Sequence, residues 1–489
     1  MNTFLTVLNE YLSALLICLL LGTGIYFTGR LGCLQIRQFS HMFALIKGSR
    51  GRSEEGISSF QALCTGLAAR VGTGNLAGVA LALSLGGPGA IFWMWIIALI
   101  GMATAFAESS LAQLYKSRDQ QGNYCGGPAY YMEKGLGQRW MGILFSIFLI
   151  IAYGWVFNSV QSNSIAQAMQ LAFGFKPLYV GLCIAALAST VIFGGNRAVS
   201  RVTEWMVPFM ALAYLSLTGW VVITHFSQLP IILSLVFKSA FGWQEAGAGA
   251  LAYTLKQALS NGVKRGLFSN EAGMGSAPNT AAAAEPYPPH PASQGYIQML
   301  GVFLDTMVIC SATATIILCS GTLENVQGIE GIELTQQAFS AVLGSWGSSF
   351  VALALFFFAF TAVIANYSYA ENNLIFLKQQ SQGKLLLFRL TVLGMMLFGA
   401  VANVPVVWTL ADISMGLMAI TNLVALALLS KTAIKLAKDY QLQRRQGKLP
   451  TFNADIYPEI INQLTPGIWP GTAEKEINGE VAQPKVANG

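Results

Sequence analysis

Residues 61–75 read QALCTGLAARVGTGN, and residues 257–273 read QALSNGVKRGLFSNEAG. Both stretches begin QALxxG, run through basic residues into a small, polar, Gly-containing stretch, and precede a proline and a long apolar segment. Paired Gly-interrupted segments at matching places in two halves of a chain are typical of the binding site of a membrane transporter. Chance also produces six-residue echoes in apolar sequence. Orientation and context of the two segments decide between chance and a repeat.

The composition indicates a membrane protein. Of the 489 residues, 54% are hydrophobic and 10% are charged, whereas soluble domains carry about 25% charged residues. Long apolar stretches recur along the chain, each long enough for the roughly 20 residues that span a bilayer. We expect an all-α integral membrane protein of about eleven segments. They lie near residues 8–29, 58–85, 89–115, 139–172, 177–194, 200–224, 247–284, 292–321, 346–377, 385–402 and 408–431.

The basic residues predict the orientation of these segments. Residues 1–10 contain no Lys or Arg, and positive charges follow the first apolar segment, which is the reverse of a cleavable signal. With the N-terminus outside, the outer loops contain only Lys176 and Lys238, so the positive-inside rule is satisfied almost throughout. The first copy of the echo then runs outward and the second inward, as in an inverted repeat. The inner basic residues include Arg30, Arg37, Lys47, Arg50, Arg52, Lys116, Arg118, Lys134, Arg139, Arg197, Arg201, Lys378, Lys384 and Arg389.

The stretch from Gly72 to Asn75 lies in the middle of the second segment. Glycine costs a helix about 1 kcal/mol relative to alanine, so two glycines around Thr73 favour an unwound turn. Unwound backbone offers carbonyls to a cation and amides to a carboxylate. A Gly-rich packing face is the alternative interpretation.

Residues 269–276, SNEAGMGS, place a carboxylate, an amide and two hydroxyls in one membrane segment. An ionisable group at this depth is costly and marks a transport pathway or a buried pair. Glu271 could contact a ligand, or it could pair with Arg70, Lys264 or Arg265. Asn270 is expected to be a ligand-binding residue.

Two further segments carry polar groups. Asn158 and Gln161 share a helix face, which suits a solvated cavity or helix–helix hydrogen bonds, and Gln161 could donate to a substrate carboxylate. Thr361 and nearby carbonyls could hold part of a sodium site, although such hydroxyls often bond back to their own helix. The other acids in or near the spans are interpreted as structural or interfacial, namely Glu108, Asp305, Glu371 and Asp412.

The sequence contains no GxxxxGK[ST] motif, catalytic triad or metal-hydrolase pattern. We therefore expect neither an enzyme nor an ATP-driven pump. The driving force should come from an ion gradient, because a membrane potential supplies about 2.3 kcal/mol per unit charge per 100 mV. No nucleic-acid partner is expected.

Three long motifs resemble those of the alanine/glycine:cation symporter family: GTGNLAGVALALSLGGPGAIFWMW (72–95), GGPAYYMEKGLG (126–137) and VKRGLFSNEAGMGSAP (263–278). The resemblance extends from the first helix to the last. It implies sodium-coupled uptake of alanine or glycine in a bacterial inner membrane, with sodium as coupling ion and no cofactor. It also implies a LeuT-type fold of two inverted five-helix repeats, with an extra helix before them. The corresponding regions are an extra helix at 1–30, repeats at 53–226 and 246–432, and a cytoplasmic tail at 433–489. From about Leu449 the tail is rich in Pro, Asn, Glu and Gly with few aromatics, so we expect it to be disordered.

The resemblance further implies roles for individual residues. Gly72, Thr73, Gly74 and Asn75 would hold the substrate carboxylate and amine, and Gln161 and Asn270 would line the same pocket. The sodium ion would lie between the second and ninth segments, on the carbonyls of Ala68, Val71 and Phe358 and the hydroxyl of Thr361.

One stretch departs from the family pattern. Family members often read FAFTTILGWYYYGE where residues 358–371 read FAFTAVIANYSYAE. Ala362 thus replaces a hydroxyl, and Asn366 makes the pocket wall more polar.

Two other functions stay open at this point. One is a proton-coupled or broader carrier of small neutral amino acids, with Glu271 as the relay. The other is a channel or receptor without alternating access. The expected partners are a small neutral amino acid (alanine or glycine), sodium and the lipid bilayer.

Overall fold

The computed structural model describes residues 2–49, 56–243, 248–325, 331–379 and 381–471. Arg50, Arg52, the predicted repeat starts at 53 and 246, and residues 472–489 of the tail lie outside the described residues. The α-helices are α1 (Asn2–Arg30), α2 (Leu34–Arg37), α3 (Phe39–Gly48), α4 (Ser59–Arg70), α5 (Val79–Gly86), α6 (Gly89–Leu114), α7 (Pro128–Lys134), α8 (Arg139–Leu149), α9 (Phe157–Phe173), α10 (Pro177–Ile192), α11 (Gly195–Thr224), α12 (Leu229–Ala240), α13 (Ala248–Asn270), α14 (Ala277–Ala283), α15 (Pro291–Val302), α16 (Ser311–Cys319), α17 (Ile332–Leu343), α18 (Gly347–Phe376), α19 (Gln382–Val401), α20 (Val404–Leu428) and α21 (Ser430–Arg445).

Shorter elements complete the fold. Wider π-helical turns join α8 to α9 and α15 to α16 without a break in the span, and a third precedes α5. These π-helical turns are Gly74–Gly78, Ile150–Val156 and Phe303–Cys310, and 3₁₀ turns lie at Phe226–Gln228, Thr322–Asn325, Ala454–Ile456 and Ile461–Gln463. The strands are β1 (Ile57–Ser58), β2 (Ser117–Arg118), β3 (Tyr124–Cys125) and β4 (Ala284–Glu285).

Eight helices in the described part of the chain are long and apolar enough to cross a bilayer. The pair of helices flanking residues 71–73 passes the same test as one span bent by 50°. Two predicted segments fall short: α10 has only 16 residues, and α13 carries Lys256, Lys264 and Arg265. The eight are Asn9–Arg30, Gly89–Leu114, Arg139–Phe173, Arg197–Thr224, Pro291–Cys319, Gly347–Phe376, Gln382–Val401 and Val404–Leu428.

The start of α4 and the end of α14 lie at the same end of the helix bundle. Ser58 caps α4, since its hydroxyl accepts from the Gln61 N–H and its own N–H donates to the Gln61 side chain. Just before this cap, β1 pairs in parallel with β4, which follows α14. The first broken helix therefore starts where the second one ends, so the two run in opposite directions.

Basic side chains collect at this same end, which we call the basic side. Lys116 Nζ, after α6, donates to the Ala284 carbonyl at 3.2 Å, and Lys134 Nζ donates to the Ser117 hydroxyl at 2.9 Å. Arg197, at the start of α11, donates to Asn123 at 2.9 Å. These side chains make this end of the bundle strongly basic. An excess of Lys and Arg on one side is typical of a membrane protein.

The core of the bundle is polar as well as apolar. Helix α6 packs against α13 and α15, α9 packs against α18 and α19, and α10 packs against α19. Among them lie fully or almost fully buried charged and amide side chains, namely Arg70, Glu108, Gln161, Asn270, Glu271, Asp305 and Asn366. Such groups are rare in a membrane bundle unless they line a pathway.

The structure differs from the expected disordered tail over residues 433–471. Helix α21 continues the chain to Arg445, and Phe452 and Trp469 are then buried against each other with ring centroids 5.2 Å apart. The Phe452 N–H donates to the Pro289 carbonyl at 2.9 Å, and Trp469 Nε1 donates to the Leu114 carbonyl at 3.1 Å. A few large aromatic side chains thus fold a segment whose average composition predicts disorder.

Candidate functional site

The first broken helix unwinds between α4 and the π-helical turn Gly74–Gly78, in a buried part of the bundle. The Gly72 N–H donates to Asn75 Oδ1 at 3.0 Å. Gln161 Oε1, from α9, accepts from the Thr73 N–H at 2.9 Å and from the Thr73 hydroxyl at 2.7 Å. The predicted break is therefore present. Gln161, expected to line the same pocket, contacts the break as an acceptor, and its role in substrate binding stays a prediction.

The second broken helix unwinds over residues 271–276, between α13 and α14. Glu271, Gly273 and Gly275 have φ angles of 59°, 87° and 82°, which glycine adopts freely and glutamate adopts only under strain. Asn270 Oδ1 accepts from the Ala272 N–H at 3.0 Å, but its Nδ2 is buried without a partner in the described structure. A strained acid beside a free amide donor is typical of a ligand site.

Asp305 joins the two breaks. It is fully buried in the π-helical turn between α15 and α16. Its Oδ1 accepts from Asn75 Nδ2, in the first break, at 2.7 Å. Its Oδ2 accepts from the Ser269 hydroxyl at 2.7 Å, just before the second break, and from the Thr306 hydroxyl at 2.8 Å.

All these partners of Asp305 are neutral groups. A buried carboxylate without a paired cation is expensive in hydrocarbon. Carboxylate and hydroxyl oxygens are the ligands that hard cations prefer. The chemistry of this cluster therefore fits a small cation. The interpretation of Asp305 as structural or interfacial did not include its hydrogen bonds to both broken helices.

Glu271 forms no ion pair with Arg70, Lys264 or Arg265 among the described residues. Its Oε2 accepts from the Ser276 hydroxyl at 2.7 Å, within the same break. Arg265 instead forms an ion pair with Asp412 of α20. The structural pairing that the sequence left open for Glu271 is therefore absent from the described part of the chain.

Residues expected at the sodium site lie on two helices that pack together, α4 and α18. The Thr361 hydroxyl donates to the Phe358 carbonyl at 2.9 Å. Ala68 is in the last turn of α4, and Val71 caps its end. Ala362 of α18 contacts the first break, because a Cβ placed on Gly72 would lie 3.1 Å from the Ala362 Cβ.

Polar side chains of α9 contact two neighbouring helices, α18 and α19. Asn366, expected in the pocket, donates from Nδ2 to Asn158 Oδ1 at 3.1 Å, while its own Oδ1 is buried without a partner in the described residues. Asn163 donates to the Gly399 and Ala402 carbonyls at 2.8 and 2.7 Å, so it ties α9 to the end of α19. Gln161 therefore contacts the first break, Asn366 is joined to the same helix through Asn158, and Asn163 is structural.

A cluster of three tilted aromatic rings, the aromatic cluster, lies against the first break. It lies on the side away from the basic side, since Phe268 precedes the second break in a helix that runs toward the basic side. The Phe268 ring lies 4.9 Å from the rings of Phe157 and of Trp408, and a Cβ on Gly74 would lie 3.2 Å from Phe268. The Arg265 guanidinium lies 4.7 Å over the Trp408 ring. Since α13, α9 and α20 each contribute one ring, relative movement of these helices would uncover the break.

A cavity of about 540 Å³ opens between α11, α14 and α18 on the basic side. It is deep enough to reach Tyr369, which is itself buried and whose hydroxyl has no partner in the described structure. Its lining includes Asn123, Arg197, Asn279, Thr280, Glu371 and Arg389. The cavity therefore brings a polar lining from the basic side to α14, the helix that follows the second break.

Comparison with known proteins gives a consistent result. A family model described as the sodium:alanine symporter family matches residues 1–454. The probable sodium/glutamine symporter GlnT of Bacillus subtilis is 50% identical over 445 residues, which are 91% of each chain. The putative sodium/proton-dependent alanine carrier protein YrbD of the same organism is 43% identical over 98% of this chain and 99% of its own. The sodium/alanine symporter AgcS of Methanococcus maripaludis is 40% identical over 88% of this chain and 96% of its own.

Proposed function

The chain belongs to the sodium:alanine symporter family, and from that premise we propose that it couples uptake of a small neutral amino acid, alanine or glycine, to sodium influx. The observation that carries the proposal is the cluster around Asp305. One buried carboxylate accepts from Asn75 in the first break and from Ser269 beside the second. Any ion bound there contacts both breaks at once.

The substrate binds between the two breaks. Gly72, Thr73, Gly74 and Asn75 offer unwound backbone to the carboxylate and amine of the amino acid. Where the substrate displaces Gln161 from Thr73, its own hydrogen bonds must replace the ones that are lost.

Two buried and unpaired amide atoms extend this site. Asn270 Nδ2 is a free donor that suits a carboxylate, and Asn366 Oδ1 is a free acceptor that suits an ammonium group. The packing around the first break is tight, since a Cβ on Gly72 would lie 2.9 Å from the Gln161 amide and a Cβ on Gly74 would lie 3.1 Å from the Ser269 Cα, so only a short side chain fits. This combination supports a zwitterion of the size of alanine or glycine.

Sodium binds at two places in this proposal. One is the set expected from the family, with the carbonyls of Ala68, Val71 and Phe358 and the hydroxyl of Thr361. The other is the Asp305 carboxylate with the hydroxyls of Ser269 and Thr306. Each place lies against the first break, so an ion in either stabilises the conformation that binds substrate.

We place these sites in a LeuT-type fold of eleven segments, with an inverted repeat that pairs α4–α5 with α13–α14. The opposite directions of the two broken helices support it. The same pairing matches α6 with α15–α16, α9 with α18 and α10 with α19, and the members of each pair pack against one another, as expected of helices beside a shared two-fold axis.

The positive-inside rule then puts the basic side in the cytoplasm of a bacterial cell, with the protein in the inner membrane and its N-terminus outside. In this orientation the aromatic cluster is the outer gate, and the cavity of about 540 Å³ is the inner exit.

Reconstitution into liposomes tests the coupling. We expect labelled alanine to accumulate above its outside concentration when an inward sodium gradient is applied, and not when potassium replaces sodium. Glycine should compete. Serine, D-alanine and glutamine belong in the same competition series, the last because the GlnT relative is named for it. Accumulation that is indifferent to sodium contradicts the proposal.

A proton-coupled carrier is the second candidate. It is favoured by Glu271, which is strained, buried and held by the Ser276 hydroxyl rather than by a cation. Glu271→Gln should then remove the pH dependence of uptake and leave alanine binding intact. An unchanged pH profile in this variant rejects the proton relay.

A further inference from the structure

Arg70 is buried without the partners that its charge requires. It is the last residue of α4, directly before the first break, and it is 1% exposed. Its Nη1 donates to the backbone carbonyl and the side-chain Oε1 of Gln298 at 3.4 and 3.2 Å. Its Nε and Nη2 have no hydrogen-bond partner in the described structure. Native proteins rarely leave such donors unsatisfied without a functional reason.

The guanidinium lies in a space built for it. A Cβ on Gly301 of α15 would lie 2.2 Å from Arg70 Nη1. A Cβ on Gly66 of α4 would lie 2.7 Å from Gln298 Oε1, the acceptor of that same group. Two glycines on facing helices therefore make room for the Arg70–Gln298 contact.

Three buried carboxylates lie in the same part of the bundle: Asp305, four residues after the Gly301 that contacts Arg70, Glu271 of the second break, and Glu108 of α6, which accepts from that break. Each accepts from neutral groups only in the described part of the chain. Glu108 accepts from the Gly273 N–H and Asn422 Nδ2. As described above, Glu271 accepts from one hydroxyl, and Asp305 from an amide and two hydroxyls.

Neither Arg70 nor these acids are locked into an ion pair with one another among the described residues. An uncompensated charge is costly in a membrane bundle. A bound sodium ion would give the carboxylates a cationic partner. When the ion leaves, the free nitrogens of Arg70 are the only guanidinium donors that this cluster contains among the described residues.

We propose that Arg70 is a tethered counter-ion that competes with sodium for this carboxylate cluster. This inference rests on the proposed function and adds a role that the sodium ligands do not supply. With sodium bound, the guanidinium stays on Gln298. After sodium leaves, its free N–H groups turn to the carboxylates, which lets the empty carrier return without carrying an unbalanced charge. Arg70 is thus a positioning residue for the return step.

The test compares Arg70→Gln and Arg70→Lys with the wild-type protein in liposomes. Removing the competitor in Arg70→Gln should lower the sodium concentration for half-maximal alanine binding by about tenfold, within the usual range for coupled sites. Net uptake into alanine-free vesicles should fall, because the empty carrier returns slowly. Exchange of labelled for unlabelled alanine at equal sodium on both sides should persist. Arg70→Lys keeps the charge and should restore part of the net uptake.

Gly301→Ala is the second variant, and it tests the competition between Arg70 and sodium if Arg70→Gln does not fold. It retains the guanidinium but pushes it off Gln298, so sodium should bind more weakly than in the wild type. Gly394→Ala is the control, because a Cβ on Gly394 meets nothing within 4 Å.

Equal losses of net uptake and exchange in Arg70→Gln, with unchanged sodium dependence, show a merely structural role and overturn the inference. So does unchanged sodium dependence in Gly301→Ala. A wild-type protein without sodium dependence fails the proposed function itself, and the inference falls with it. The two failures are therefore distinguishable.

Discussion

Asparagine in place of Asp305 is expected to lower sodium-driven alanine uptake by about a hundredfold or more while the protein still folds. Removing one charged partner from a buried network costs about 3–5 kcal/mol, and about 1.4 kcal/mol corresponds to a tenfold change in an equilibrium constant. The side chain keeps its shape, and the Ser269 and Thr306 hydroxyls can turn to accept from the new amide. The loss should therefore fall on the ion and leave the fold intact.

The measurement is the sodium dependence of alanine uptake in liposomes, together with thermal denaturation of the same samples in detergent. Asp455→Asn is the matched control, since Asp455 is exposed in the C-terminal segment. It should behave as the wild type does. An Asp305→Asn protein whose half-maximal sodium concentration equals that of the wild type rules out Asp305 as a cation ligand.

Alanine in place of Gly72 is expected to weaken alanine binding by one to two orders of magnitude. The added Cβ would lie 2.9 Å from both the Nε2 and Oε1 atoms of Gln161 and 3.1 Å from the Ala362 Cβ. Overpacking of this kind costs about 1–3 kcal/mol. Here it falls on the contact between Gln161 and Thr73 that shapes the first break, so affinity should suffer more than stability.

Gly78→Ala provides the control for this variant in the same broken helix. A Cβ on Gly78 would lie 3.7 Å from the Trp408 ring and 3.8 Å from the Thr73 carbonyl, which are ordinary contacts. Alanine affinity can be followed by the binding of labelled alanine at saturating sodium. Equal affinities in the Gly72 and Gly78 variants would place the substrate elsewhere.

The two breaks could be predicted from sequence because their causes are local. Glycines at 72 and 74, and at 273 and 275, disfavour helix wherever they occur, and the repeated QALxxG motif marks both segments. Gln161 could be singled out because its neighbours along the helix indicate a polar face, and the structure places it against the first break.

Asp305 could not be placed from sequence in the same way. Its partners Asn75 and Ser269 lie 230 and 36 residues away along the chain, and no local pattern joins them. A signal was nevertheless present, since a single acid in the apolar run FLDTMVIC is as costly as Glu271 in its segment. Applying to Asp305 the argument used for Glu271 would have identified it as a candidate site residue.

The fold of the tail was missed for a different reason. Average composition predicts disorder over residues 433–489, but folding of a short segment depends on a few large side chains. Phe452, Tyr457 and Trp469 are each buried, and Phe452 packs on the other two rings at 5.0 and 5.2 Å. The burial of these rings offsets the conformational entropy that the segment loses when it folds, and average composition does not register so few side chains.

The central claim is that sodium and the amino acid bind to the same pair of unwound helices and stabilise each other. Purified protein in detergent tests it directly: the dissociation constant of alanine is measured with and without sodium, and that of sodium with and without alanine. Coupling requires both constants to fall by the same factor, about 5- to 150-fold for linked sites. Alanine affinity that does not change between sodium and potassium contradicts the account.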